Sequence, residues 1–303
     1  MLASLLLLIS NTIMYSTPLV FGALGGLVSE KSGVTNIGLE GMMTVGAATG
    51  VCVAYLTGNP WIGFLAAGIA GGLIAVLHAV ASVSLRADQS VSGIAINLLG
   101  AGASLFMVRI VFGALNTPPV PRKLPKILSD SSKLGVFSRL NFEVTAVIAL
   151  VLMIVIWFIF KKTKWGLRVS SVGEHPVVAD SLGLNVYKIR YTCVIISGFL
   201  AGLGGASMTL SILSNFVPTA ISGHGFIALT AVIFGKWKPV GVYLSCLFFG
   251  LAQALVIQIG GGAILSSQIV AMLPYVLTII VLVLFVGRSV GPKASGVPYE
   301  KGK

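Results

Sequence analysis

The sequence predicts an all-α, polytopic membrane protein, and three observations carry that prediction. Of its 303 residues 56% are hydrophobic and only 9% charged, with a mean hydropathy of +1.01, which is not the make-up of a soluble chain. Nine stretches reach the roughly 20 mainly apolar residues that a membrane-crossing helix needs: 3–27, 36–57, 61–85, 90–115, 142–160, 190–212, 215–235, 239–259 and 269–287. They take two thirds of the chain and leave no room for a soluble catalytic domain. They are also continuous runs, unlike the alternating segments of about ten residues that build membrane barrels.

The first stretch opens like a secretory signal, but it lacks a basic leading region and runs on through Pro18 to Gly26, so it reads as a mature span. Gly58-Asn59-Pro60 and the segment from Arg86 to Gln89 are little more than turns. Two connections are long. The 116–141 loop is rich in proline and lysine, and the 161–189 loop carries Glu174 and Asp180 among basic residues. Cys52, Cys193 and Cys246 fall inside spans without metal-ligand spacing and read as small packed residues. The 37 glycines point to closely packed helices, and Trp61, Trp157 and Trp237 fall near the predicted interfaces.

The net charge of +12 is a topology signal here, not a nucleic-acid footprint. An external N-terminus and a cytoplasmic C-terminus place fourteen of the twenty lysines and arginines inside, including six between Lys161 and Arg190. Arg122, Lys123, Lys126, Lys133 and Arg139 then form a basic external loop at 116–141, and Arg109 can snorkel from the outer end of its span.

An internal echo relates two segments of the chain. I-G-L-E-G-M-M-T-V-G-A from Ile37 returns 184 residues later as I-S-G-H-G-F-I-A-L-T-A from Ile221, so Ile37, Gly41 and Ala47 match Ile221, Gly225 and Ala231. L-G-G at 24–26 echoes L-G-G at 203–205. The seventh stretch comes five places after the second, and an odd step reverses direction, so the copies are inverted, as in many transporters. In the 161–189 loop, Pro176 suits a first helical position, Glu174 a helix start and Gly183 a left-handed stop, which predicts a short helix at about 174–183.

T-N-I-G-L-E-G-M-M at 35–43, G-L-R-V-S-S-V-G-E-H-P-V-V-A-D-S-L-G-L at 166–184 and G-H-G-F-I-A-L-T-A-V-I-F-G-K-W-K-P at 223–239 together resemble permease subunits of bacterial ABC importers in the branched-chain amino acid, ribose and nucleoside group. The N-I-G-x-E-G and G-F-I-A-L forms look most like the nucleoside permeases. The resemblance covers nearly the whole chain, 1–303, as a single transmembrane permease domain. It implies a type II importer in the bacterial cell membrane with a second, often different, permease subunit, a cytoplasmic ABC ATPase and an external substrate-binding lipoprotein. It also implies that the helix matching Glu174, His175, Pro176, Ala179 and Gly183 is the coupling helix that docks on the ATPase.

No G-x-x-x-x-G-K-[ST] loop occurs, so this chain is expected to bind no cofactor and to leave ATP and magnesium to the partner ATPase. Eight acidic residues offer no catalytic pair, and His78, His175 and His224 have no metal spacing. An intramembrane enzyme is therefore not expected. Polar residues within spans are the pathway candidates, because burying them is costly unless they are paired or line a cavity. Glu40 is either a pathway group or a helix-start carboxylate held by backbone N–H groups, and Asn36 before it reads first as a cap. Asn97, Asn215, Gln253 and Gln258 could bond a base or ribose or pair between helices, and His224 takes the place of Glu40 in the inverted copy. Apart from Glu143 and Arg190 at the very ends of their stretches, Glu40 and the peripheral Arg109 are the fixed charges in spans two to nine, which suits a neutral nucleoside better than a zwitterion. The alternatives are a sugar or branched-chain amino acid permease of the same group and a stand-alone secondary carrier. The carrier would need acidic relays beyond Glu40 and would leave the loop helix without a purpose.

Overall fold

The computed structural model describes residues 2–113, 117–120, 122–127, 140, 142–259, 272, 276, 279–280 and 290–301. Among them the chain forms α1 (Leu2–Lys31), α2 (Leu39–Thr57), α3 (Pro60–Ala79, prolonged by a π-turn Val80–Ser84), α4 (Gln89–Phe112), α5 (Val144–Lys162), α6 (Lys164–Glu174), α7 (Pro176–Ser181), α8 (Val186–Ser207, prolonged by a π-turn Met208–Ile212), α9 (His224–Phe234) and α10 (Pro239–Ile259). Seven of these, α1 to α5, α8 and α10, are long and apolar enough to cross a membrane. Their starts are set by local chemistry. Asn59 accepts from Trp61 N ahead of Pro60, Asp88 from the N–H groups of Ser90 and Val91, and Asn185 from Lys188 N, which satisfies donors that a helix start leaves free.

The predicted seventh span, 215–235, is not one helix. After α8 the chain runs through coil and turns to Gly223, and only the 11 residues of α9 are helical. Eleven residues rise about 16 Å, roughly half a hydrocarbon core. The predicted ninth span, 269–287, lies largely outside the described residues.

The centre of the bundle is α1, α2 and α8, with α3 and α10 packed outside them. Glycines let the backbones touch. A Cβ on Gly46 would meet the Gly202 backbone of α8, one on Gly205 the Met43 carbonyl of α2, and one on Gly198 the Gly71 carbonyl of α3. These contacts also fix directions. Gly25 lies by Ser197 and Gly204 by Pro18, so α1 and α8 are antiparallel. The third helix of each copy packs on the first of the other, α3 on α8 and α10 on α1. This exchange is the packing expected of two inverted halves.

The two ends of the bundle differ. At one end, 117–120 and 122–127 lie beside 210–216 and 142–143: Val120 N donates to Ser214 O, Phe216 N to Pro118 O, Leu124 N to Leu210 O and Ile127 N to Phe142 O. At the other, α6 and α7 meet the C-terminal segment 290–301. Ala294 N donates to Gly173 O, Thr35 and Ser295 share a hydroxyl hydrogen bond of 3.0 Å, Arg190 Nη1 donates to Val297 O, and Arg86 pairs with Glu300 at 2.8 Å. Tyr299 is buried against Val172, Ala179 and Val186. Burial and the Asp180 carboxylate beside it hold its phenol above the usual range, so it stays protonated as a donor to Asp180.

Candidate functional site

The inverted copies meet at Glu40. It stands in the first turn of α2, and its carboxylate accepts Gly223 N at 2.6 Å (Oε1) and Gly225 N at 2.7 Å (Oε2), both at the start of α9. Two helix N-termini therefore converge on one carboxylate, and each brings partial positive charge and unpaired N–H groups. Gly223 makes the approach possible with φ +85°, and a Cβ on Gly225 would strike the Glu40 backbone. Glu40 is thus held by backbone N–H groups, as one sequence reading allowed, but those of the opposite copy and not of its own helix. It is half-buried, with both oxygens occupied.

The break between α1 and α2, residues 32–38, is held by side chains from several helices, as backbone outside a helix must be when it is buried in a membrane protein. Thr35 N donates to Gln89 Oε1 at 2.7 Å, and Thr35 O and Ser92 Oγ contact the two ring nitrogens of His78. Asn97 Oδ1 accepts Gly41 N at 2.8 Å while its Nδ2 donates to Ile37 O at 3.1 Å. Asn97→Leu strands both groups at a cost of about 1–3 kcal/mol each. We expect a purified complex carrying it to melt several degrees lower, as read by a thermal shift in detergent.

Sequence reasoning placed Asn36, Glu40, Asn97, His224 and Gln253 in spans, and the fold gathers them around this junction. Asn36 is not the cap of α2, because Gly38 holds that position without a side-chain bond. Instead the fully buried Asn36 donates to Ser197 Oγ at 2.9 Å and leaves its Oδ1 without a hydrogen-bond partner. His224 stands across from Gln253. It is the first residue of α9, its Nε2 is 3.4 Å from Gln253 Nε2, and its Nδ1 is unpartnered. Asn215 and Gln258 are not part of the junction. Asn215 is exposed and its backbone bridges to Pro119, while Gln258 is exposed at the end of α10. His78, Gln89, Ser92 and Ser197 were missed, since nothing in their spacing marks them. Gln89 beside the Asp88 cap is the nearest to a signal.

At the end that carries α6 and α7, His175 precedes Pro176 at the first position of α7, and Gly183 (φ +82°) turns the chain out, as the sequence predicts. Glu174 is a correction: it closes α6 and does not open the short helix. Ala179 faces the interior. It is 1% exposed, whereas Val177, Val178 and Leu182 are 53%, 55% and 77% exposed. A hollow of about 320 Å³ between Ser170, Ser171, Glu174, His175, Val178, Ala179 and Leu182 lies beside them. The outer face of α7 is therefore apolar and open.

Over residues 8–285 the chain matches the family described as branched-chain amino acid transport system, permease component. The chain belongs to this family. This permease is 46% identical to the guanosine ABC transporter permease protein NupQ of Bacillus subtilis (strain 168), across 98% of its own length and 97% of the relative's. It is 41% identical to the nucleoside ABC transporter permease protein NupC of Lactococcus lactis subsp. cremoris (strain MG1363), across 99% and 98%. It is also similar, at 27% identity across 93% and 81%, to a second Bacillus subtilis protein, the guanosine ABC transporter permease protein NupP. A solved structure titled PsaBC from Streptococcus pneumoniae in complex with Fab shares its fold, with a TM-score of 0.54 and 13% identity over 92% of this chain and 91% of that one. The permease is an integral membrane protein of ABC transporter type.

Proposed function

We propose that this permease forms half of the translocation pathway of an ATP-driven nucleoside importer, with a second permease as the other half. The observation that carries the substrate is the end-to-end identity with two nucleoside permeases. The junction is compatible with it. Glu40 spends its charge on the N-terminus of α9, so it offers no free counter-charge to a solute. A neutral, amphipathic nucleoside needs apolar surface and a few hydrogen-bonding groups, which the half-buried His224 and Gln253 can provide.

In this reading a cytoplasmic ATPase, which binds and hydrolyses ATP with magnesium, grips the outer face of α7, and an external binding lipoprotein delivers the nucleoside at the opposite end. A chain of contacts also links the α6–α7 end to the junction. The end of α6 at Gly173 lies close to the Lys31 carbonyl and bonds Ala294, and the next residue of the tail, Ser295, bonds Thr35 at the root of the Asn36–Glu40 segment. A shift of α7 would thus reach the place where α2 and α9 meet.

Uptake of radiolabelled guanosine by cells with and without an intact gene for this chain tests the reading. We expect uptake to depend on the gene and to be competed by other nucleosides. Gene-dependent uptake of ribose or leucine, with nucleosides inert, would reject it. The orientation has its own test, because the native cysteines are all buried. We expect a cysteine at Arg122 to react with an impermeant maleimide on intact cells and one at Val178 to react only after the cells are opened. The reverse pattern would invert the topology.

A further inference from the structure

On the end that carries α6, a cavity of about 630 Å³ opens where α1 and α5 finish and α10 begins. Three lysines border it: Lys31, Lys161 and Lys238. Its walls are apolar, formed chiefly by Trp157, Phe160, Pro239 and Val240, with Trp237 beside them. No carboxylate is among its lining residues. Glu174 is felt by Lys31 from outside the cavity, and Glu30 is taken up by Trp237 Nε1. The Lys161 ammonium lies 5.2 Å over the Trp157 ring, and Lys236 and Trp237 hold a turn with φ of 53° and 51° that sets Lys238 and Pro239 at the rim.

Next to Trp157, Phe160 and Lys161 on α5 runs a stripe formed by Val151, Ile154, Val155 and Phe158, all exposed among the described residues. Cationic heads, tryptophans and an apolar wall leading away along a span make up the chemistry of a lipid with an anionic head. We propose that this cavity binds an anionic phospholipid, its phosphate among Lys31, Lys161 and Lys238 and its acyl chains along Trp157, Phe160 and the exposed stripe of α5. A soluble anion would find the same ammonium groups but no use for the apolar wall. A protein partner would need complementary carboxylates there as well as apolar groups.

The test is lipid retention by the purified complex of this chain with its partner permease and ATPase. The complex is equilibrated in nanodiscs holding equal phosphatidylglycerol and phosphatidylcholine, and native mass spectrometry follows its extraction. We expect phosphatidylglycerol to be retained about tenfold or more over phosphatidylcholine, since each surface cation adds severalfold to the attraction for anionic lipid. The preference should fall to near unity in a Lys31→Gln/Lys161→Gln/Lys238→Gln variant and return when the same positions carry arginine. Inorganic phosphate at millimolar concentration should leave it unchanged, because the acyl wall contributes. Should the triple variant not assemble, the exposed Lys161→Gln alone is expected to lower the preference two- to threefold. Equal retention by wild type and variant, displacement by inorganic phosphate, or loss of the ATPase with lipid retention unchanged would each overturn the proposal.

Discussion

Replacing Glu40 with alanine is expected to lower nucleoside uptake by about a hundredfold while the complex still assembles. The carboxylate satisfies two N–H groups at the start of α9, and each donor left unpaired costs about 1–3 kcal/mol, with more at stake because the acceptor is charged. The bundle itself rests on the α1, α2, α3, α8 and α10 contacts, which this change does not touch, so the loss falls on where α9 stands. A bias of about 2.7 kcal/mol against the working position of α9 lowers its population about a hundredfold. Glu40→Gln keeps the shape and one accepting oxygen but turns an amide N–H toward the second donor, so about a tenfold loss is expected. Uptake assays on membranes with matched permease content check both values. Wild-type uptake by Glu40→Ala would show that the junction has no part in transport.

The second large effect is expected on the outer face of α7. Val178→Asp and Leu182→Asp each place a charge on an exposed apolar side chain. Neither should disturb the permease, since surface positions tolerate polar groups within about 0.5 kcal/mol. If α7 is the docking element, a central apolar contact of this kind is worth about 2 kcal/mol or more, so ATPase affinity should fall some thirtyfold. ATPase co-purification should be lost at an unchanged melting temperature. Ala179→Trp is the contrast. Ala179 lies on the inner side of α7, packed with Val172, Val186 and Tyr299, and overpacking it costs about 1–3 kcal/mol. A lowered melting temperature should accompany any loss of ATPase there. Full co-purification by both aspartate variants would remove α7 from the coupling role.

The membrane class, six of the nine spans through 212 and the α10 span were legible because long apolar runs leave few alternatives once backbone groups must be satisfied in lipid. The seventh was misread because hydropathy weighs side chains and is blind to backbone. Phe216, Val217, Ile221 and Phe226 keep 215–235 apolar whether or not it is helical. The warning lay in Pro218, Gly223 and Gly225, a proline and two glycines crowded at the start of a supposed span. The inverted echo was visible because matched positions do matched work: Gly41 and Gly225 each sit where another backbone comes too close for a Cβ. What no local pattern could show is who meets whom. Glu40 and Gly223 are 183 residues apart, and Asn36 and Ser197 are 161 apart, so an apparent cap became a bond from the α1–α2 break to α8. Ala179 matched the expected motif, yet the surface that a partner can reach is formed by its neighbours Val178 and Leu182.

The central claim is that this chain is half of an ATP-driven nucleoside pathway, and reconstitution tests it most directly. Proteoliposomes holding the chain, its partner permease and the ATPase, with the binding lipoprotein on the outer side and ATP and magnesium within reach of the ATPase, are presented with labelled guanosine. Accumulation that requires ATP, is competed by other nucleosides and is lost when this chain is omitted is the predicted result. ATP-dependent accumulation of ribose or leucine by the same vesicles, with guanosine neither accumulated nor competing, would contradict it.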